Sequence, residues 1–217
     1  MENSAIRYSS LLRIYSIEDQ LTICQILNPW RNDEILAQYL IAPKNLKDLD
    51  EKIFIAEKTY GKSTVLRTPM NKITLTSSCH GYILEQIGAL DNIAVFCDAE
   101  YIIYDKVKER IISGNIANAG NGLNPSAEII LSKGSDAIWV SSFENSSQSS
   151  ISNLPIPIIY CADYMEASPL GRAEWMRFFG LLVNQKEKAD SLFCLIEKNY
   201  KEIVDSIALS KNGNRPK

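Results

Sequence analysis

The stretch "CADYMEASPLGRAEWMRFFG", residues 161–180, marks the point at which a strand pattern gives way to a helical one. The run "IPIIYCA" that leads into it is typical of a buried strand. Ser168 and Pro169 then form a helix-start signature, because a serine side chain caps free amides and proline supplies a helical φ where no N–H is needed. Apolar residues at i, i+3, i+4 spacing predict a helix that continues to Val183.

A second helical pattern follows the break at "VNQKEK". Apolar side chains keep the helical spacing from Ala189 through Phe193 to Ile207, which predicts a helix from Lys186 to Leu209. At 1.5 Å per residue this helix would be about 36 Å long. We therefore expect it to extend beyond the domain that it leaves.

Strand and helix patterns alternate upstream, from Lys72 onward. The predicted strands are "KITLTS", "IAVFC", "AIWVS" and "IPIIYCA", and the predicted helices are "HGYILEQIG", "YDKVKERIISG" and "NPSAEIILSKG". Asn124 is expected to cap the last of these helices and Pro125 to begin it. Short apolar strands without polar alternation indicate helices on both faces, so we predict an α/β fold with a Rossmann-like parallel sheet over residues 71–185.

Residues 1–70 follow a different rhythm. The segments "LLRIYSI", "LTICQIL" and "EILAQYLIA" resemble hairpin strands separated by polar turns. We predict a β-rich N-terminal extension there.

Composition excludes several classes of protein. The 217 residues are 46% hydrophobic, which suits a globular core, and a net charge of -3 with scattered signs disfavours nucleic acid as a partner. The sequence has neither an apolar run that could span a membrane nor a signal peptide at its start, so the protein is either cytosolic or has lost an export signal. The five cysteines are widely separated in mostly apolar settings and are predicted to be buried free thiols.

Ligands of open α/β sheets bind outside the carboxyl ends of the strands. The segments that follow the predicted strands are "SSCH" (77–80), "DAEY" (98–101), "SSFEN" (141–145) and "ADYMEASPLGR" (162–172). We expect them to form one rim rich in hydroxyl, phenol and amide groups. The candidate ligand-binding residues on this rim are Ser78, Cys79, His80, Tyr101, Phe143, Glu144, Asn145, Tyr164 and Arg172.

Several of these candidates have a second interpretation. His80, the only histidine, is a candidate ligand contact or axial metal ligand, or else a hydrogen-bonded residue of a first helical turn. Cys79 suggests a thiol nucleophile, but adjacent residues point apart and no second histidine can act as base, so we predict no catalytic residue and no metal site. Arg172 either pairs with an anionic ligand or with a nearby acid such as Glu174.

The order of three segments resembles a known family. These are "ITLTSSCHGYILEQIGALDNIAVF", "GLNPSAEIILSKGSDAIWVS" and the segment that begins "IPIIYCADYMEASPLGRAEW". They resemble the periplasmic substrate-binding proteins of ABC importers for iron complexes and cobalamin (class III, with a helical backbone), most of all the Bacteroidetes-type members in which "SPLGRAEW" and "FEN" recur. That family has two α/β lobes joined by one rigid helix, with the ligand between the lobes.

The resemblance implies a domain organisation. Residues 71–185 would form the N-terminal ligand-binding lobe, 186–210 the interlobe backbone helix, and 211–217 the start of a connection to a C-terminal lobe that the chain lacks. Apolar residues meant for that lobe, around Ile203 and Ile207, should then be exposed. Glu128 matches the family glutamate that docks on an arginine of the permease, although an acid in a first helical turn also favours the helix dipole.

The resemblance also implies a function. We expect a monomeric, non-enzymatic solute-binding component, with no resident cofactor, that captures a ferric siderophore or haem and delivers it to an ABC permease in the inner membrane. Such a protein would be periplasmic and lipid-anchored after signal removal. The alternatives are a cobalamin-binding protein of the same family, a cytosolic flavodoxin-like enzyme using Cys79 or His80, and a module that contacts an outer-membrane receptor.

Overall fold

The computed structural model describes residues 6–17, 20–103, 105–141 and 150–210, with side chains as far as residue 207. The strands are β1 (Leu12–Ser16), β2 (Thr22–Leu27), β3 (Ile35–Pro43), β4 (Thr64–Thr68), β5 (Ile73–Leu75), β6 (Ile93–Phe96), β7 (Ala117–Asn118), β8 (Ala137–Ser141) and β9 (Ile158–Cys161). The helices are α1 (Leu49–Tyr60), α2 (Ser78–Gln86), α3 (Asp105–Ile112), α4 (Ala127–Lys133), α5 (Pro169–Leu182) and α6 (Lys186–Ser210).

The predicted parallel sheet is confirmed. In the described part of the chain it has five strands in the order β7-β6-β5-β8-β9, and every pairing is parallel. The central strand β5 is buried at all its positions, which explains why its sequence shows no polar alternation. Because the strands are parallel, their carboxyl ends lie along one edge of the sheet.

Helices cover both faces of this sheet. On one face Trp139 of β8 packs with Phe179 of α5, their ring centroids 4.8 Å apart. On the other face Ile138 and Val140 of β8 pack with Ile130 of α4. Successive side chains of β8 therefore point to opposite faces of the sheet, and on each face they pack against apolar residues of a helix.

The N-terminal extension forms a second sheet, in the order β1-β2-β3-β4. Its antiparallel strands β1, β2 and β3 confirm the predicted hairpins, whereas α1 and the parallel strand β4 were not predicted. The apolar stripe of α1, formed by Leu49, Ile53, Ala56 and Tyr60, packs against the outer cluster of the N-terminal sheet, but the exposed apolar Phe54 and Ile55 obscure it in the sequence. Strand β7 was also missed, because two residues are too few to show a pattern.

Helix α5 lies between the two sheets and joins them into one core. Tyr39 and Leu66 of the N-terminal sheet belong to the same buried cluster as Trp139 of the parallel sheet and Phe178 of α5. A polar contact adds to this packing. The hydroxyl of Tyr39 accepts from the Tyr160 amide at 2.9 Å and donates to the Ile158 carbonyl at 3.1 Å, both on the edge strand β9.

The helix starts agree in part with the predictions. Ser168 caps α5 by accepting from the Gly171 amide at 2.9 Å, as expected. Helix α4, however, is capped by Ser126 and begins at Ala127, so the predicted cap Asn124 and the predicted first residue Pro125 lie in the preceding loop, where the Asn124 amide donates to the Asn121 carbonyl at 3.2 Å. Helix α2 begins two residues earlier than predicted, at Ser78.

The prediction of buried free thiols holds for Cys24, Cys97 and Cys161 and is wrong for Cys79 and Cys194. All are free, but the latter two lie on the solvent-facing sides of α2 and α6. Burial raises the pKa of the Cys97 thiol to about 12.

The long closing helix is confirmed as α6, Lys186–Ser210. Its first half is packed, since Ala189 and Phe193 are buried in the main core. Its second half exposes Ile203 at 58% and Ile207 at 50%, as predicted. No helix in the described part of the chain is both long and apolar enough to cross a membrane.

Candidate functional site

The carboxyl edge of the parallel sheet carries the predicted rim. Ser78 and Cys79 follow β5, Tyr101 follows β6, and Tyr164 and Arg172 follow β9. Cys79 and Tyr101 are exposed, the latter at 69%, whereas Ser78 and Tyr164 are half-buried. The remaining candidates Phe143, Glu144 and Asn145 fall outside the described residues.

A tight turn holds the loops after β5, β6 and β7 together. Asp98 adopts a left-handed φ of 52°, its amide donates to the Gly120 carbonyl at 2.8 Å, and its carboxylate accepts from the Gly122 amide at 3.1 Å. A side chain at Gly122 would place its Cβ 2.7 Å from the Thr76 carbonyl oxygen, so this approach requires glycine. The turn fixes the short 3-10 helix that carries Tyr101 to the rim.

His80 lies beneath the rim rather than on it. Its side chain is 1% exposed, its Nε2 is 3.0 Å from Oδ1 of Asp163, and its ring packs at 5.3 Å from the ring of Phe179. Its Nδ1 has no hydrogen-bond partner among the described residues. Direct contact with a ligand, or axial coordination of a metal, is therefore not available to His80 in this arrangement, and the side chain serves to hold Asp163.

Asp163 connects this buried histidine to the exposed arginine of the rim. Nε of Arg172, a side chain 51% exposed, lies 4.0 Å from Oδ2 of Asp163. Burial opposes ionisation of this carboxyl group, but the hydrogen bond and electrostatic interaction with His80 and the charge of Arg172 outweigh it and lower the pKa of Asp163. Burial and the nearby Asp163 charge raise the pKa of Tyr164.

Arg172 does not pair with Glu174, the partner that sequence spacing offered. Glu174 is fully buried and accepts from backbone amides at the other end of the chain. The Arg172 guanidinium is directed to the rim, where its charge can meet an anion. Sequence reasoning placed Asp163 in the rim loop without assigning it a role, and the one signal for that role was the single histidine, whose imidazole needs a hydrogen-bond partner when it is buried.

The structure separates the two residues of the enzyme hypothesis. Cys79 is exposed, and His80 is buried with its Nε2 on Asp163, so the described residues contain no thiol–imidazole hydrogen bond. The described part of the chain also contains no group of three His, Cys, Asp or Glu side chains that could hold a metal ion.

Glu128 lies at the same end of the molecule as the rim. It is an exposed residue of the first turn of α4. The loop that leads into this helix follows β7 and is closed by the Ser126 amide, which donates to the Ala119 carbonyl at 2.9 Å. Leu123 of this loop is exposed as well. Both side chains are exposed in the segment that follows β7, on the side of the carboxyl edge of the sheet.

Comparison with known proteins shows the fold. No family model matches the chain. An uncharacterized lipoprotein of Methanocaldococcus jannaschii is 24% identical over 208 residues, which cover 88% of this chain and 49% of that protein. The chain therefore spans about half the length of this relative.

Two solved structures share the architecture. The siderophore-binding protein BauB, bound to a complex of acinetobactin and ferric iron, superposes with a TM-score of 0.52 at 16% identity, over 67% of this chain and 50% of that one. The iron-uptake ABC transporter substrate-binding protein PiuA of Streptococcus pneumoniae gives a TM-score of 0.52 at 14% identity, over 67% and 49%. The chain has the fold of about half of such a binding protein.

Proposed function

We propose that the chain is one lobe of a solute-binding protein that captures an iron complex and delivers it to the permease of an ABC importer. The observation that carries this proposal is the rim at the carboxyl edge of a parallel sheet, in a fold shared with iron-complex-binding proteins. The lipoprotein relative supports a lipid-anchored location outside the cytoplasm.

The geometry of α6 supports a two-lobed protein. The helix leaves the core after Glu197 and exposes apolar residues, among them Ile203 and Val204, near its end. Exposed apolar side chains of this kind indicate a surface that another part of the protein covers. The chain also matches only about half the length of its relatives, which suits a lobe that shares its ligand with a second one.

The chemistry of the rim favours an anionic, partly aromatic ligand. Tyr101 and Tyr164 offer phenol rings for stacking or hydrogen bonding, and Arg172 offers a guanidinium group on a side chain that is half exposed. Ferric catecholate complexes and haem both combine aromatic or conjugated groups with negative charge. Cobalamin is the alternative within the same binding mode.

A titration tests the rim assignment. The chain is titrated with a ferric catecholate, a ferric hydroxamate, haemin and cyanocobalamin, and quenching of tryptophan fluorescence is followed. We expect Arg172→Ala to weaken binding of the anionic complex about tenfold, or 1.4 kcal/mol, because the paired charge is lost. Arg13→Ala, an exposed arginine of β1, is the matched control. Equal affinities of Arg172→Ala and wild type would show that the arginine only neutralises Asp163.

A charge reversal tests the permease contact proposed for Glu128. We expect Glu128→Lys in the full-length protein to leave folding and ligand affinity unchanged, since a solvated first-turn acid contributes only some tenths of a kcal/mol to its helix. Import of the iron complex should collapse, because repulsion replaces attraction at the permease. Glu187→Lys, in the exposed first turn of α6, is the control. Normal import by the Glu128 variant would refute the contact.

A further inference from the structure

The N-terminal residues 6–12, here called the strap, cross helices α5 and α6. Glu174 of α5 is fully buried, and its carboxylate accepts from successive backbone amides of the strap: Arg7 at 2.9 Å, Tyr8 at 2.7 Å and Ser9 at 2.9 Å. Converging amides of this kind form a concave anion site in the backbone, here filled by a side chain of the same protein. The buried charge of Glu174 is thus satisfied by the strap.

A second carboxylate binds the next residues of the strap. Glu166 accepts, among the described residues, five hydrogen bonds. Four come from the strap: the hydroxyl of Ser9, the amide and hydroxyl of Ser10 at 2.9 and 3.0 Å, and the amide of Leu11 at 3.2 Å. The fifth comes from the indole N–H of Trp175 at 2.9 Å.

Gly171 shows how closely the strap approaches α5. A Cβ at this position would lie 2.9 Å from the carbonyl oxygen of Tyr8 and 3.0 Å from a carboxylate oxygen of Glu166. The motif "SPLGRAEW" therefore has a structural explanation within this chain. Within this motif the strap is contacted directly by Gly171 and Glu174, and Trp175 contacts the Glu166 carboxylate that binds the strap. Arg172 is directed to the rim instead.

The N-terminal end of the strap is bound to α6. Nη2 of Arg7 and the hydroxyl of Tyr8 each lie 2.6 Å from the carboxylate of Glu197, which also accepts from Lys201 at 2.6 Å. The hydrogen bonds from Lys201, Tyr8 and Arg7 lower the pKa of Glu197 to about 2. The strap thus connects α6, α5 and the loop after β9.

We propose that Glu166 is a positioning residue of the rim, through which the strap fixes the loop between β9 and α5. Glu166 stands between Tyr164 and Arg172, and its own amide donates to the Asp163 carbonyl at 3.3 Å. Holding its carboxylate on the strap therefore sets the path of the backbone that carries Tyr164 and Arg172 on the rim and Asp163 beneath it. This role rests on the proposed function only in assuming that the rim meets a ligand.

Hydrogen exchange tests the mechanical part of the proposal. Glu166→Gln replaces one accepting oxygen with an NH₂ group that faces strap donors. We expect the amides of Ser10 and Leu11, and those of Met165 and residue 166 in the rim loop, to exchange at least about tenfold faster, while amides of β8 keep their wild-type rates. Glu202→Gln, an exposed glutamate of α6, is the control and should change none of them.

A second variant reaches the same loop without altering its carboxylate. Gly171→Ala keeps the carboxylate but crowds the Tyr8 carbonyl of the strap together with the Glu166 carboxylate and the Ser168 hydroxyl, and we expect the Met165 and Glu166 amides to exchange faster here too. If either variant loosens the strap amides while the rim-loop amides keep their wild-type rates, the strap only fastens the N-terminus and the proposal is overturned. Faster exchange of β8 amides as well would indicate a general loss of stability, which would also overturn it.

Binding separates this proposal from the proposed function. With whichever of the four titration probes the wild type binds, both variants should bind about threefold to tenfold more weakly. Unchanged affinity with a loosened loop would overturn the positioning role. If the wild type binds none of the probes, the proposed function has failed, while the exchange rates of the rim loop still decide whether the strap positions it.

Discussion

Asp163 contacts a buried histidine on one side and an exposed arginine on the other. The carboxylate is held 3.0 Å from His80 and 4.0 Å from Arg172, directly after the end of β9. A buried, ionised acid is stable only when such partners compensate its lost hydration. Because His80 is buried and Arg172 is half exposed, Asp163 links the core beneath the rim to the charged side chain on it.

The lowered pKa of Asp163 makes a prediction about pH. A carboxyl group whose pKa is depressed by folding stabilises the native state above its ordinary pKa of 3.8, and this contribution disappears as the pH falls through the lower folded-state value. We therefore expect Asp163→Asn to lower the free energy of unfolding by about 1.5–3 kcal/mol at pH 6, with a smaller difference from wild type below pH 3.8.

Denaturant unfolding at several pH values measures this difference. Asp91→Asn is the control, because the Asp91 side chain is 87% exposed and its loss should have little effect at any pH. A constant difference between Asp163→Asn and wild type from pH 6 down to acid unfolding would show that the effect is one of shape and not of charge.

At the residue scale, sequence reasoning found the local signals and missed the distant ones. The cap at Ser168 and the rim position of Arg172 depend on neighbours within a few residues, so spacing predicted them. Glu174 accepts from Arg7, which is 167 positions away in the chain. No local pattern reports such a partner, and for the same reason Glu166 and Asp163 were left without a role.

Helix α6 consists of a packed first half and an exposed second half. Phe193 lies under the Arg177 guanidinium, which is 4.5 Å from its ring centroid, whereas Ile203 faces solvent. We expect Phe193→Ala to cost about 3–5 kcal/mol of stability, because it leaves a cavity in the core. Ile203→Ser on the same helix should change stability by less than about 0.5 kcal/mol. Thermal or denaturant unfolding of both variants compares them, and a similar loss in both would mean that α6 is packed throughout.

The hydroxyl of Tyr39 fastens the N-terminal sheet to the edge of the parallel sheet. Removing it in Tyr39→Phe leaves the Tyr160 amide and the Ile158 carbonyl without this partner and should cost about 1–3 kcal/mol. Tyr15→Phe, in the outer apolar cluster of the N-terminal sheet, is the control. Equal stability of Tyr39→Phe and wild type in urea would show that apolar packing alone joins the sheets.

At the element scale, the elements with strong apolar patterns were predicted and those without were not. Strands β5, β6 and β8 are mostly apolar because they are buried on both faces, the edge strand β9 is apolar although its residues alternate between half-buried and buried, and α5 and α6 keep helical spacing. Helix α1 packs its stripe of Leu49, Ile53, Ala56 and Tyr60 on the N-terminal sheet, but the exposed Phe54 and Ile55 add apolar residues off that stripe and weaken the helical pattern in the sequence. Neighbouring parallel strands need a crossover connection, and α1 provides it between β3 and β4.

The molecule as a whole is organised around α5. The N-terminal sheet, the parallel sheet and the first half of α6 contribute to one buried cluster with this helix, and the strap closes over it. The division of the sequence at residue 70 remains a prediction about chain organisation, but residues on both sides of it share this core. The carboxyl edge of the parallel sheet and the exposed end of α6 stay uncovered by this packing among the described residues.

We propose above that an iron complex binds at the carboxyl edge of the parallel sheet. Paramagnetic broadening of NMR signals by ferric iron tests this location directly. Bound high-spin ferric iron broadens the NMR signals of nearby amides. In the ¹⁵N-labelled chain titrated with the tightest-binding ferric complex, we expect selective loss of the rim amides, those of Ser78, Cys79, Tyr101, Tyr164 and Arg172. The amides of Gly88 and Gly134, which precede strands at the opposite edge, should keep their intensity. Broadening at the opposite edge or on the N-terminal sheet, with the rim unaffected, would contradict the account.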